Sequence, residues 1–232
     1  MNENDTYRVD RATVRGDLPI LLMLLADLFF GLWAWRRMPA RVPIHWNFSG
    51  QVDAWGPPWE NAFLLPLIGV AVYLLLLFLP LIDPRRASYA LFGGTLRFFR
   101  GVIVLFLVGI HVAVTLASIG RAVDVATLAR FELPLLFILL GNQMGRLRPN
   151  WFVGIRVPWT MDSEEVWTRT HRMAGPVWVV CGFVALAGAF LRPGAAEAVF
   201  LSVVAVLVVV PIVYSYRLYH RLAREGRIAA SR

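Results

Sequence analysis

Six runs of mainly apolar residues dominate this chain, at positions 18–35, 61–82, 101–120, 125–145, 175–191 and 195–216. A helix crossing ~30 Å of hydrocarbon needs about 20 such residues. Each run approaches that length, so the pattern predicts an all-α polytopic bundle of six transmembrane helices. Composition agrees: 58% of residues are hydrophobic and 16% charged, whereas a soluble domain carries roughly 25% charged residues. The first run is not a secretory leader, because Glu3, Asp5, Asp10 and Asp17 precede it and Trp33-Ala34-Trp35-Arg36-Arg37 replaces a small-residue cleavage site.

The net charge of +8 comes with 23 basic residues that are all arginine. Their positions argue for membrane topology rather than nucleic acid, since short cytoplasmic loops are enriched in arginine. Seventeen fall in the N-terminal tail, the second and fourth loops and the C-terminal tail, and five in the alternate loops. This predicts cytoplasmic termini in an inner or cytoplasmic membrane, with the lipid bilayer as a partner and no direct nucleic-acid binding. The chain divides into an N-terminal tail (1–17), a two-span unit (18–82), a four-span unit (83–216) with a cytoplasmic loop at 146–174, and a basic tail (217–232).

Chemistry outside the bilayer is confined to the first and fourth loops. In the first, Pro39 and Pro43 exclude a continuous helix and Asn47, Ser49 and Gly50 are turn formers, giving a compact extracytoplasmic loop. His45 and Asp53 are too few to hold a metal. In the fourth, Asp162 and Glu165 resemble a capping box and Glu165 and Arg169 form an i, i+4 pair. A short amphipathic helix is expected over 163–173, with Val166, Trp167, Thr170 and Ala174 on one face. His171 on that helix is expected to be a hydrogen-bonding or interface residue at the surface. Arg156, after Gly154-Ile155, would either lock the loop through Glu164 or Glu165 or contact a partner.

Ionisable groups within spans are costly and face a partner or cavity. Asp27, His111, Arg130 and Glu132 all fall in a middle layer. The first reading is a charge-paired core, Asp27 or Glu132 with Arg130; the second is a polar path for a proton, ion or substrate, as in a small transporter or channel. No metal-protease or nucleophile-elbow motif accompanies them. One cysteine, Cys181, builds neither a disulfide nor a metal cluster and reads as a small buried hydrophobe. No enzyme activity, metal or cofactor is expected.

Gly141-Asn142, Pro149-Asn150, Gly154-Ile155-Arg156, Pro158-Trp159-Thr160, Glu165, Trp167, Thr170-His171 and Gly175 together resemble the signature of the SdpI family. Val157 departs from it, standing where the family usually has Thr. Pro43-Ile44-His45-Trp46-Asn47 through Gly50, Asp53 and Trp55 is similar to the domain of unknown function common at the N-terminus of such proteins. The resemblance implies immunity to a secreted toxin peptide and recruitment of a small cytoplasmic transcriptional repressor to the membrane. It points to Asn142, Asn150, Arg156, Trp159, Thr160, Glu165, Trp167 and His171 as a functional loop, with His45, Asn47 and Asp53 on the opposite side.

Overall fold

The computed structural model describes residues 7–228. Glu3, Asp5 and Arg232 lie outside the described residues. Helix α1 (Arg11–Gly16) is capped by Asp10, whose carboxylate accepts the Thr13 N–H at 2.8 Å, and leads into α2 (Leu18–Trp35). The other helices are α3 (Pro58–Ile82), α4 (Gly93–Ser118), α5 (Val125–Met144), α6 (Pro158–Asp162), α7 (Glu164–Gly188) and α8 (Pro193–Arg224). All but α1 and α6 are long and apolar enough to cross a membrane. The chain is a polytopic helical membrane protein. Six crossings bring both ends of the described chain to one end of the bundle, called here the termini end.

The first loop is not irregular. Strands β1 (Val42–Trp46) and β2 (Val52–Gly56) pair antiparallel as a hairpin. Asn47 closes the turn, its Oδ1 accepting the N–H groups of Ser49 and Gln51 at 3.0 Å each, and Gly50 adopts φ +81°. Pro43 is compatible with a strand because a two-stranded ribbon is all edge, where its missing N–H costs no ladder bond.

Three boundaries also differ from expectation, for physical reasons: α4 begins at Gly93 rather than at 101, since Leu96, Phe99 and Arg100 are buried in the bundle, and the other two lie in α7 and α8. The short amphipathic helix and the fifth span are one continuous helix, α7, which runs through Pro176. Its N-cap is Ser163, whose hydroxyl accepts the Val166 N–H, rather than Asp162. Helices within a bundle tolerate such a proline because neighbouring groups satisfy the freed carbonyl. Likewise α8 continues past 216 to Arg224, since Leu218, Tyr219 and Leu222 bury against Val166. Arg221 and Arg224 then occupy its last turn, where cations suit the helix dipole.

The helices pack as two triplets, α2–α3–α4 and α5–α7–α8, joined along α4 and α5. Within the second triplet, α5 and α7 approach so closely that a Cβ on Gly175 would stand 2.9 Å from the Gly141 carbonyl. Only glycine fits that crossing. Large apolar side chains such as Leu22, Phe29, Leu75 and Phe183 point outward, as helices facing lipid require.

Candidate functional site

At the termini end, the segment between α5 and α7 is an internally bonded knot. Asn150 is fully buried. Its Oδ1 accepts the N–H groups of Phe152 (2.9 Å) and Val153 (2.7 Å), and its Nδ2 donates to the carbonyls of Arg148 and Val153 (2.9 Å each). Asp83, just past α3, accepts from the Tyr89 hydroxyl at 2.7 Å and the Trp151 N–H at 2.9 Å, tying the knot to the first triplet. Burial, then the bond to Asp83, pushes the Tyr89 hydroxyl well above the usual phenol range.

Most of the fourth-loop residues picked from the sequence turn inward here. Trp167 and His171 are fully buried and stacked with ring centroids 4.2 Å apart. Trp167 donates to the Leu147 carbonyl, and His171 bonds to the Trp167 carbonyl through Nδ1 while accepting the Ile155 N–H on Nε2 at 2.9 Å. His171 is therefore not a surface histidine. Gly154, at φ +124°, passes so close that a Cβ would stand 2.5 Å from His171 Nε2. Thr160 is buried and bonds the Ile155 carbonyl, Trp159 donates to Ser215, and Glu165 pairs with Arg169 and Arg227. Arg156 reaches neither Glu164 nor Glu165; its Nη1 donates to the Trp151 carbonyl at 2.5 Å. Asn142, Arg156 and Trp151 remain exposed.

Inside the bundle the expected pairing is wrong. Asp27 pairs with His111, Oδ1 to Nδ1 2.6 Å, both buried between α2 and α4. Arg130 instead donates to the Phe48 carbonyl of the hairpin turn at 2.5 Å. Glu132 cannot pair with Arg130, because residues two apart point to different sides of a helix. Its carboxylate lies against Gly109 of α4, with Oε2 buried and unbonded. The four groups thus occupy three places: the Asp27–His111 pair, Arg130 at the hairpin turn and Glu132 against Gly109. A second buried pair escaped notice in the sequence: Arg100 donates to Asp17 at 2.7 Å, and Tyr73 bonds the same carboxylate. Asp17 read as part of the tail and Arg100 as a loop residue, so neither signalled a buried charge.

At the opposite end, a cavity of about 570 Å³ opens between the two triplets. The hairpin forms one wall, from Ile44 to Phe48, and Leu64, Ile110, Leu133, Ala189 and Phe200 make most of the rest apolar. Polar groups are few: Asn47, Glu60, Asn61, Arg130 and His45, the last bonded to Asp53 at 2.5 Å. Asn61 is locked, donating to Ser118 at 2.8 Å and accepting from Thr115 at 3.0 Å. The hairpin turn is strapped to the second triplet twice, by Arg130 on Phe48 and by the Phe48–Phe200 ring contact at 6.2 Å. This arrangement suits binding of an apolar ligand with one oriented polar group. His45 and Asp53 form a pair, and no group of three potential metal ligands exists among the described residues.

Comparison with known proteins follows this division. Residues 146–215, from the knot through most of α8, match the SdpI/YfhL protein family. Residues 22–70, comprising most of α2, the hairpin and the first half of α3, match a domain of unknown function (DUF1648). The chain is also similar to Immunity protein SdpI of Bacillus subtilis (strain 168), 25% identical over 202 residues that span 87% of this chain and 95% of that protein. No solved structure matches. The two matched segments contain the hairpin and most of the knot that give this bundle its two built ends, and the chain is a multi-pass membrane protein similar to the SdpI family over residues 146–215.

Proposed function

We propose that this protein confers immunity to a secreted toxin peptide by binding it, without catalytic turnover, at the cavity beneath the hairpin. The reading places the protein in a bacterial cell membrane with cytoplasmic termini, which the arginine asymmetry supports. The hairpin-bearing unit (18–82) and the SdpI-like unit (83–216) then present the cavity outward, where such a peptide arrives.

One observation carries the proposal. Arg130 lines a mostly apolar cavity, and its guanidinium donates its hydrogen bond to a neutral carbonyl, that of Phe48. A carboxylate is the stronger acceptor for a guanidinium, so a peptide's acidic group would displace the turn and seat the apolar segment behind it. The companion activity implied by the resemblance, holding a repressor at the membrane, would use what the knot leaves exposed at the termini end, Trp151 and Arg156.

Expression in a toxin-sensitive host followed by challenge with the peptide tests this. Survival above the empty-vector control supports immunity; survival equal to that control, with the protein present in the membrane, rejects it.

A further inference from the structure

A second cleft, of about 660 Å³, opens at the termini end between α4, α5 and α7. Three arginines line it: Arg146 and Arg148 from the segment after α5, and Arg172 from α7. Among the described residues, none of the three guanidinium groups makes a hydrogen bond or ion pair, unlike those of Arg85, Arg86, Arg100, Arg130, Arg156, Arg169 and Arg227, and no carboxylate lines the cleft. Converging cations without an internal anion repel one another, and an anion from outside relieves that repulsion.

The opposite wall adds donors. It is the first turn of α4, where Phe92 at the N-cap supplies no side-chain cap and the orphan N–H groups and helix dipole favour negative charge. Thr95 in that turn also lines the cleft; it is only 6% exposed, yet its hydroxyl makes no hydrogen bond among the described residues. Nothing lies within 4 Å of where a Cβ on Gly93 or Gly94 would be, so a side chain can be placed on that turn without a clash. Apolar residues flank the mouth, with Leu91 73% exposed and Phe98 beside it.

From this we infer that the cleft binds the phosphate of an anionic phospholipid headgroup, with the acyl chains lying along Leu91 and Phe98. Phosphate is the shared chemistry that three guanidinium groups and a helix N-terminus recognise. The apolar flank selects the lipid over the free ion. Basic pockets between membrane helices hold such headgroups. The inference does not depend on the immunity reading.

The test uses the full chain purified in a neutral detergent, with thermal unfolding followed during titration with dioleoylphosphatidylglycerol, dioleoylphosphatidylcholine or inorganic phosphate. Wild type is expected to be stabilised by phosphatidylglycerol alone. The triple change R146Q/R148Q/R172Q should raise the half-maximal lipid concentration at least about tenfold, while R217Q/R221Q/R224Q, which removes equal charge from α8, should leave it within about twofold. Gly94→Asp guards against misfolding of the triple variant, because an acid in the first turn favours the helix but repels phosphate; it should also weaken binding about tenfold. Equal weakening by the α8 triple would overturn the site in favour of diffuse charge attraction. Stabilisation by inorganic phosphate equal to that by phosphatidylglycerol would overturn the lipid assignment. Unchanged binding in Gly94→Asp would remove α4 from the site and refute the cleft as described.

Discussion

Asn150 is the residue on which the knot at the termini end is expected to depend most. Its amide makes four hydrogen bonds to backbone groups of the loop itself, two as acceptor and two as donor. At a net ~1 kcal/mol for each bond, Asn150→Ala should cost about 4 kcal/mol. Asn150→Asp should do no better, because a carboxylate oxygen would face the carbonyls of Arg148 and Val153 where an amide now donates. Tyr89→Phe removes the hydroxyl shared between Asp83 Oδ2 and Asn150 Oδ1, while Asp83 keeps the Trp151 N–H and Asn150 keeps its four backbone bonds; with one donated proton lost, it should cost about 1 kcal/mol. Reversible unfolding in mixed micelles, with the three variants compared against wild type, measures these differences. If Asn150→Ala proves no less stable than Tyr89→Phe, the loop is held by something other than this amide and the reasoning fails.

Other expectations follow from particular contacts. Asp27→Leu leaves His111 buried without its partner and should lower folded yield more than the double change Asp27→Leu with His111→Leu; the cost of an orphaned partner is about 3–5 kcal/mol in soluble cores, and equal yields would contradict the pairing. Gly154→Ala sets a Cβ against His171 and forces φ +124° on an L residue, so it should destabilise by more than ~1 kcal/mol in the same unfolding assay. Asp124 caps α5, and its bonds to the side chain and backbone of Thr127 hold its carboxyl below the ordinary carboxylate range. A depressed native value means the stabilisation is full above the unfolded-state value and fades as pH falls through the native one. Asp124→Ala should therefore cost about 1 kcal/mol at neutral pH, and progressively less in acid. Reporter fusions after Gly50 and after Pro149 should report opposite sides of the membrane, with the Gly50 fusion extracytoplasmic.

What the sequence made legible was what hydropathy can encode. The first span, 18–35, was placed with the same limits as α2, and the shared face of Val166, Trp167, Thr170 and Ala174 is fully buried. Errors arose where a local signal was overridden by tertiary satisfaction. The short helix over 163–173 and the span from 175 read as two elements, but α5 packs against Gly175 and the helix continues. Pro39 and Pro43 read as excluding a continuous helix, and none forms there, but the turn formers alone did not reveal the paired strands. The buried charges were mispaired because hydropathy gives depth without azimuth: Asp27, Arg130 and Glu132 share a layer, and only packing shows that Asp27 faces α4 and Arg130 faces the hairpin. The same limit hid the function of the fourth-loop motif. Its residues stood out as a set, and the structure buries Asn150, Thr160, Trp167 and His171, with His171 bonded to Trp167 and Ile155 and Thr160 bonded to Ile155.

The account turns on which end of the bundle meets the toxin. Ala129 lines the hairpin-end cavity beside Arg130, so Ala129→Trp fills it, whereas Trp151, 49% exposed at the termini end, can be cut to Ala without touching that cavity. Survival of a sensitive host under peptide challenge, at matched membrane abundance, is expected to fall to the empty-vector level with Ala129→Trp and to stay at the wild-type level with Trp151→Ala. Full protection by Ala129→Trp together with loss of protection by Trp151→Ala would contradict it and move the site of action to the opposite face.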